Sequence, residues 1–227
     1  MSTVEIFNPA GEKYANFLDL DTMVKPWLHI VMSDPSQDFI LSTITRAIST
    51  RMQQFIGSPI APQVYGPDDG HGKFDGGGGL YSSYIMLPKT PVLKIISLIE
   101  YQNQTPVELA EITSPGQGST QDGYQLNYRT GRVTRILGGI WPRPFMPGSQ
   151  NVWVTWLAGY NPIPADILEA ALEWVADKFH AQFQSNASRP MSASEMNEET
   201  NPAEPFKGLP YYVENVLQTY LQPSIGS

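Results

Sequence analysis

The spacing of apolar residues changes twice along this chain, and that change constrains the fold more than any other feature. Over residues 40–55 apolar side chains recur every three or four positions, which predicts an amphipathic helix. Between 62 and 157 the spacing falls to two, which predicts β-strands, and from 164 the helical spacing returns. The pattern predicts an α+β fold, with a small helical bundle, an inserted antiparallel β-sandwich-like region and a C-terminal helix.

The first long helix is expected to end at Gly57, a residue that readily takes the left-handed conformation of a helix C-terminus. Its predicted apolar face consists of Ile40, Ile44, Ala47, Ile48, Met52 and Phe55. A shorter helix before it is opened by Asp21 and limited to a turn or two by Pro26.

The second long helix is expected to start at Pro164, with Asp166 and Glu169 near its positive N-terminal end. Its broad apolar stripe, Ile167 to Phe179, must pack on another element. The helix at 40–55 is the expected partner. A last helical stretch carries apolar residues from Val213 to Leu221.

The middle of the chain is rich in β-branched and aromatic residues, separated by Gly, Pro, Asp and Ser clusters. The predicted strands are Gln63–Tyr65, Tyr81–Leu87, Val92–Tyr101, Val107–Ile112, Gly123–Tyr128, Arg132–Leu137 and Asn151–Leu157. The last of these is apolar on both faces, which predicts burial on both sides. We expect Trp141, Trp153 and Trp156 to be core residues, because large aromatic residues in strands usually are.

These patterns divide the chain into five parts. We expect an N-terminal arm at 1–18, a helical bundle at 19–61 and 158–183, and a β-rich insertion at 62–157. The polar, acidic stretch 184–208 predicts a flexible loop, because it has too little apolar area to offset the entropy lost on ordering. Residues 209–227 contain the closing helix.

The charge balance and the lack of cysteine exclude several kinds of protein. The formal net charge is −8, which argues against a protein that grips nucleic acid by neutralising phosphates. The absence of cysteine excludes disulfides, thiolate catalysis and Cys-based zinc sites. No apolar run approaches the ~20 residues of a membrane span, and the first residues lack a signal-peptide pattern. We expect a protein made in the cytoplasm, with no membrane partner.

Chemical motifs are weak throughout. Gly76, Gly77, Gly78 and Gly79 lead into a strand signal without the Lys-Ser/Thr pair of a phosphate loop, so they predict a hairpin tip. Asp68, Asp69, His71 and Asp75 lack the EF-hand pattern, and a solvated turn is the expectation. His29, His71 and His180 are scattered. We therefore expect no enzyme, no catalytic residue, no metal and no cofactor.

Several short strings, in their order, resemble the head–tail connector (adaptor, or head completion) proteins of tailed bacteriophages. The resemblance covers about residues 20–221. The strings are Val24-Lys25-Pro26-Trp27-Leu28, Ile40 to Phe55 with Ile56-Gly57-Ser58-Pro59-Ile60, Leu87-Pro88-Lys89-Thr90-Pro91-Val92, Tyr124 to Val133, Trp141-Pro142, Asn151-Val152, Ala158-Gly159-Tyr160, Pro164-Ala165-Asp166, and Gly208-Leu209-Pro210 with Val213, Leu217 and Tyr220. Pro26, the N-terminal arm and the acidic insert depart from the family pattern.

The resemblance implies a structural protein without enzymatic activity in the neck of a virion, assembled in the host cytoplasm. It implies a ring, usually of twelve copies, beneath the portal protein, with stopper or tail proteins below and double-stranded DNA passing through the lumen without specific binding. On this basis residues 209–227 would be a docking helix. The expected portal-interface residues are Leu209, Pro210, Tyr211, Val213, Leu217, Tyr220 and Leu221. The tips at Gly76–Gly79 and Ser119–Gly123 would contact neighbours or the tail.

Two other functions stay open from the sequence. The exposed aromatic residues of the β region could form a platform for a carbohydrate or another ligand on a phage particle. A hydrolase could use Asp68, Asp69, His71 or Asp75, although these residues form no recognisable catalytic motif.

Overall fold

The chain forms two compact units in this computed structural model. The structure describes residues 14–77, 83–113, 122–138, 141–188 and 209–221, with only the backbone for 182–188. One unit is β-rich and includes Ala61–Asn161, and the other is helical and joins Asn8–Ile60 to Pro162–Ser227. The α+β class predicted from the sequence is confirmed.

The helical unit contains four helices among the described residues. A π-helical turn at Leu20–Val24 leads into α1, Lys25–Trp27, and the longer helices are α2, Asp38–Ile56, α3, Ala165–Ser188, and α4, Tyr211–Gln218. Gly57 ends α2 with a φ of 76°, as predicted. The predicted packing of α2 against α3 is also confirmed. The π-helical turn at Leu20–Val24 is capped by Asp19 rather than by the predicted Asp21, because the Asp19 carboxylate accepts a hydrogen bond from the Thr22 amide.

The buried face of α2 is rotated from the predicted one. Its centre is Leu41, Ile48 and Met52, whereas Ala47 is exposed. Polar residues occupy the rest of this face and are satisfied there: the Gln53 amide donates to the Ala15 carbonyl and its oxygen accepts from the Ile60 amide. A pattern built on apolar residues alone cannot register buried polar groups of this kind.

The predicted N-terminal arm at 1–18 is wrong for its last residues. Tyr14, Phe17 and Leu18 are buried in the helical unit. Ser49 donates a hydrogen bond to the Asn16 side chain, which fixes this segment against α2. Residues 1–13 lie outside the described part of the chain.

The predicted acidic loop at 184–208 begins too early. Helix α3 continues to Ser188, beyond Gln184, because polar residues can extend a helix that its apolar stripe has already anchored. The helix begins one residue later than predicted: the Pro164 carbonyl accepts the first helical hydrogen bond, from Leu168, and Pro164 thus precedes the helix. Residues 189–208 lie outside the described part.

The β-rich unit contains two sheets. Its strands are β1 Gln63–Tyr65, β2 Lys73–Gly76, β3 Tyr84–Met86, β4 Val92–Gln102, β5 Thr105–Glu108, β6 Ala110–Glu111, β7 Gly123–Asn127, β8 Arg132–Leu137, β9 Trp141–Pro142 and β10 Gly148–Ala158. The β10 sheet has the order β1-β10-β4-β5, with β2 also paired to β10. The β8 sheet has the order β3-β8-β7-β6, with β9 also paired to β8. All pairings are antiparallel except that of β6 with β7.

One apolar core joins the two sheets, as in a sandwich. It contains Val154 and Trp156 from the β10 sheet and Ile85 and Val133 from the β8 sheet. The prediction that the last long strand is buried on both faces is wrong: alternate residues from Val152 to Ala158 are buried, and those between them are half-exposed. The strand therefore has one face on the core and one turned outward.

A buried ion pair also joins the sheets. The Arg135 guanidinium of β8 lies 3.4 Å from a carboxylate oxygen of Glu100 of β4, and both side chains are fully buried. Arg135 also donates to the carbonyls of Gly123 and Ile136 and to Asp122. The other oxygen of Glu100 accepts from the Met146 amide at 2.6 Å. Every charge in this cluster thus has partners, which is the condition for burying it.

Breaking this pair should be costly. We expect Arg135→Met to lower the free energy of unfolding by about 3–5 kcal/mol, because Glu100 would stay buried without its countercharge. The double variant Glu100→Gln/Arg135→Met should lose clearly less than the sum of the two single variants. Urea unfolding followed by tryptophan fluorescence measures both. An Arg135→Met variant within about 0.5 kcal/mol of the parent, the range of ordinary surface changes, would contradict the assignment.

Candidate docking surface on the C-terminal helix

Helix α4 packs against α3 and α2 within the helical unit. Its first helical hydrogen bond runs from the Glu214 amide to the Pro210 carbonyl, and Pro210 suits a helix start because its missing N–H would have no partner there. Val213 and Leu217, four residues apart on one face, are completely buried. The apolar face of α4 therefore belongs to the core of its own unit.

Two tyrosine–aspartate hydrogen bonds hold α4 and the residues after it on α3. The Tyr212 hydroxyl donates to Asp177 at 2.9 Å, and the Tyr220 hydroxyl donates to Asp166 at 2.8 Å. Burial raises the pKa of Tyr212, and the hydrogen bond and charge of Asp177 together with the charge of Glu173 raise it further. The hydroxyl thus stays a donor well into the alkaline range.

The seven predicted portal-interface residues do not form one exposed surface. Tyr211 is 78% exposed and Leu221 is also exposed, whereas Leu209, Pro210 and Tyr220 are half-buried. Val213 and Leu217 point inward, so they cannot contact a partner while α4 is packed as described. Contact with a portal stays a prediction. Of the seven predicted interface residues, Tyr211 and Leu221 are the exposed apolar ones.

The sequence interpretation missed the tyrosine–aspartate bonds. Tyr212 and Tyr220 are eight positions apart on the closing segment, but their partners precede them by 35 and 54 residues. Nothing in the local pattern indicates such distant partners.

The four glycines predicted as a hairpin tip divide into two pairs. Gly76 is the last residue of β2, is buried, and pairs with Gly148, so it is not at a tip. A Cβ atom at Gly76 would overlap the Met146 carbonyl oxygen. Gly77 follows with a φ of 65°. Gly78 and Gly79 lie outside the described residues, as do residues 119–121 of the second predicted tip, while Gly123 begins β7. The contact role of these glycines stays a prediction.

The acidic residues of the same region cap turns. The Asp69 carboxylate accepts from the amides of Gly66 and His71, and the Asp75 carboxylate accepts from the Ser149 hydroxyl and the Gln150 amide. Within the described residues, no three His, Cys, Asp or Glu side chains are grouped so that they could hold a metal ion.

The three tryptophans predicted as core have three different environments. Trp156 is fully buried, and its indole N–H donates to the Lys89 carbonyl. Trp153 lies half-exposed on the opposite, outward face of β10, so the core prediction is wrong for it. Trp141 is 70% exposed and lies opposite the exposed Leu137 in the β8–β9 pair, so the core prediction is wrong for it.

Comparison with solved structures finds structural neighbours of this chain. No protein-family model and no curated protein matches it. Among solved structures, the chain is similar to one from the "Neck of native GTA particle computed with C12 symmetry". The sequence identity is 15% and the TM-score is 0.47, with 84% of this chain and 90% of that chain covered. None of the described helices is both long and apolar enough to cross a membrane.

The two faces of α4 should respond differently to truncation. We expect Leu217→Ala to lower the free energy of unfolding of the helical unit by about 2–5 kcal/mol, since it leaves a cavity under α4. Tyr211→Ala, on the same helix but exposed, serves as the control and should change it by about 0.5 kcal/mol or less. Thermal and urea unfolding measure both. Equal losses at the two positions would contradict the described packing.

The Tyr212–Asp177 bond should weaken in alkali. The pKa of Tyr212 in the folded chain is raised above the ordinary value of 10.0, so its contribution to stability is complete below pH 10. It is then lost as the pH rises from there through the folded-state pKa, because the unfolded chain ionises first. The stability difference between the parent and Tyr212→Phe should therefore be constant up to pH 10 and shrink above it. A difference that grows in alkali would contradict the donor role of Tyr212.

Proposed function

We propose that this chain is a structural head–tail connector (adaptor) of a tailed-phage virion. In this proposal it forms a ring under the portal, extends the DNA channel and joins the head to the tail. The protein acts by binding and positioning its partners, and no step of chemistry is assigned to it.

The observation that carries the proposal is the order of the elements together with the strings that mark their ends. The chain runs through a short first helix, a long helix ending at Gly57, an inserted sandwich, a second long helix and a closing helix. The strings that resemble connector proteins fall at these junctions: Gly57 ends α2, and Pro164 directly precedes α3. The neck chain described above has a TM-score below 0.5, and the proposal does not rest on it.

The proposed partners are the portal protein, the stopper or tail proteins, and further copies of this chain in a ring of twelve. Double-stranded DNA would pass through the lumen without specific binding. The net charge of −8 suits that role, because an acidic wall does not hold phosphates. The acidic excess belongs to the helical unit, whose sequence has twice as many acidic as basic residues, while the two balance in Ala61–Asn161. The proposed location is the virion neck, after assembly in the host cytoplasm.

Portal docking would involve the exposed part of the closing segment. With Val213 and Leu217 committed to the core of the helical unit, Tyr211 and Leu221 are the apolar side chains available to a partner. A buried anchor face and an exposed tyrosine suit a docking element that is already folded before contact.

One observation favours a second candidate, a carbohydrate- or ligand-binding domain of a phage particle. The exposed Trp141 and its neighbour Leu137 form a flat apolar surface at one end of the β8 sheet, of the kind on which a sugar ring stacks. Binding of oligosaccharides by the purified protein, abolished by Trp141→Ala, would support this function over the connector.

The connector proposal is tested by electron microscopy of lysates from phage with an early stop codon in this gene. We expect heads and finished tails to accumulate separately, because the joint between them is missing. Complementation by the parent gene should restore joined particles, and the Tyr211→Ala/Leu221→Ala variant should restore far fewer. The Glu169→Gln variant, exposed on α3, is the control and should complement fully. Normally joined particles without the protein would refute the proposal.

A further inference from the structure

The helical unit exposes three large apolar side chains close together. Val31, Met32 and Phe39 are 69%, 56% and 83% exposed. Val31 and Met32 belong to the turns between α1 and α2, and Phe39 is the second residue of α2. We call these three residues the helical patch. Exposed apolar groups gathered in this way commonly mark a binding surface, whereas scattered ones do not.

A buried lysine fixes the helical patch. The Lys25 ammonium donates to the Met32 carbonyl at 3.1 Å and pairs with Asp38 at 2.8 Å and Asp21 at 2.9 Å. Its hydrogen bonds with Asp38 and Asp21 raise its pKa, so it stays charged. Met32 and the start of α2 are therefore held on one ammonium group, and the patch is ordered before any partner arrives.

The surroundings of the helical patch are acidic. Asp21 and Asp38 together neutralise Lys25 and leave an excess of one negative charge. Asp34, in the turn between Met32 and Phe39, adds another negative charge. Its carboxylate accepts a hydrogen bond from the Ser36 amide. The next cation along α2 is Arg46, two turns beyond Phe39. A partner should therefore be apolar and carry exposed cations beside its apolar groups.

The outer face of the β10 sheet has these properties. Trp153, Leu157 and Ile99 lie on the side of the sheet away from the core, because their neighbours in each strand are buried. Tyr101 packs on Trp153 with ring centroids 4.9 Å apart. Ile96, beside the register shift between β4 and β10, is 49% exposed.

The cations of this face lie among its apolar residues. The Lys73 ammonium lies 5.0 Å from the centroid of the Trp153 ring, and Lys94 lies opposite Leu157 in the β4–β10 pair. Both lysines are exposed. The carboxylates of this face are Glu108, on the edge strand β5, and Asp75, which is next to the core-facing Phe74 on β2. Trp and Tyr are the residue types that most often dominate binding energy in interfaces.

We infer that the helical patch of one copy binds the outer face of the β10 sheet of another copy, with Phe39 packing near Ile96. The apolar groups of the two surfaces can pack together, and the acidic groups around the helical patch can meet Lys73 and Lys94. Because they are different surfaces, the contact is head-to-tail and can repeat into a closed ring. This inference rests on the proposed function for its second copy, and it names the surfaces that would form the ring.

The chain has no cysteine, so single introduced cysteines report contacts without background. Phe39→Cys and Ile96→Cys proteins are purified separately, checked for the parent's circular dichroism and melting temperature, mixed, and oxidised mildly. We expect a disulfide-linked dimer to form about tenfold faster in this mixture than in a control mixture of Tyr211→Cys and Ile96→Cys, because binding raises the effective concentration of the two thiols. Tyr211, which replaces Phe39 in the control mixture, is similarly exposed but lies outside the helical patch.

The double variant Phe39→Cys/Ile96→Cys separates the kinds of contact. A head-to-tail contact gives a ladder of covalent oligomers, which supports the inference. Cross-linking no faster than in the control mixture overturns it, and so does preferential Phe39–Phe39 pairing, which would indicate a two-fold contact. In assembled particles, capture of a different virion protein by Phe39→Cys would also overturn it.

The charges are tested in the same assay. Lys94→Glu should slow the cross-link between Phe39→Cys and Ile96→Cys, and Asp34→Lys in the other partner should restore it, because the reversed charges again attract. Lys89→Glu is the control, since Lys89 is outside the outer face of the β10 sheet. Failure of this inference leaves the lysate experiment unaffected. Conversely, the cysteine variants could cross-link as expected while phage with the stop codon still form normally joined particles. That combination would refute the connector function and support the contact between copies.

Discussion

The β-rich unit depends on the pairing of Arg135 with Glu100. The two residues belong to different sheets, so the apolar core can close only when the guanidinium and the carboxylate meet in it. Removing two charges from water costs several kcal/mol each. The structure offsets this cost because Glu100 accepts hydrogen bonds from Met146 and Gln102, and Arg135 donates to the Gly123 and Ile136 carbonyls. The pair adds a specific polar contact between the sheets, which apolar packing alone does not supply.

Much of the fold could be predicted because the spacing of apolar residues depends on the local secondary structure. Strands β1 and β8 have the predicted bounds, and α3 starts one residue later than predicted. The failures have physical causes. Strand β2, Lys73–Gly76, was missed because it is short and polar and owes its pairing to β10. The buried face of α2 was misplaced because Ser49 and Gln53 are buried by hydrogen bonds to distant backbone and side-chain groups.

The candidate site was less predictable than the fold. An apolar stripe such as Val213 and Leu217 indicates that a helix face is covered, but it does not distinguish a partner protein from the chain's own core. The structure resolves this in favour of the helical unit and leaves Tyr211 and Leu221 outside. The helical patch was not predicted because its residues form no such stripe. Val31, Met32 and Phe39 follow no period, and the residue that groups them, Lys25, was seen from sequence only as part of a short helix.

The arrangement around Lys25 also determines the distance over which this surface can be sensed. The ammonium cancels the charge of one of its two aspartates, so the field that leaves the surface is that of one remaining carboxylate together with Asp34. At physiological ionic strength such a field decays over about 8 Å, less than the width of one helix with its side chains. The carboxylates would therefore not draw a partner from a distance. They would act after encounter, by rejecting misaligned contacts, so assembly would be slow to begin and selective once begun.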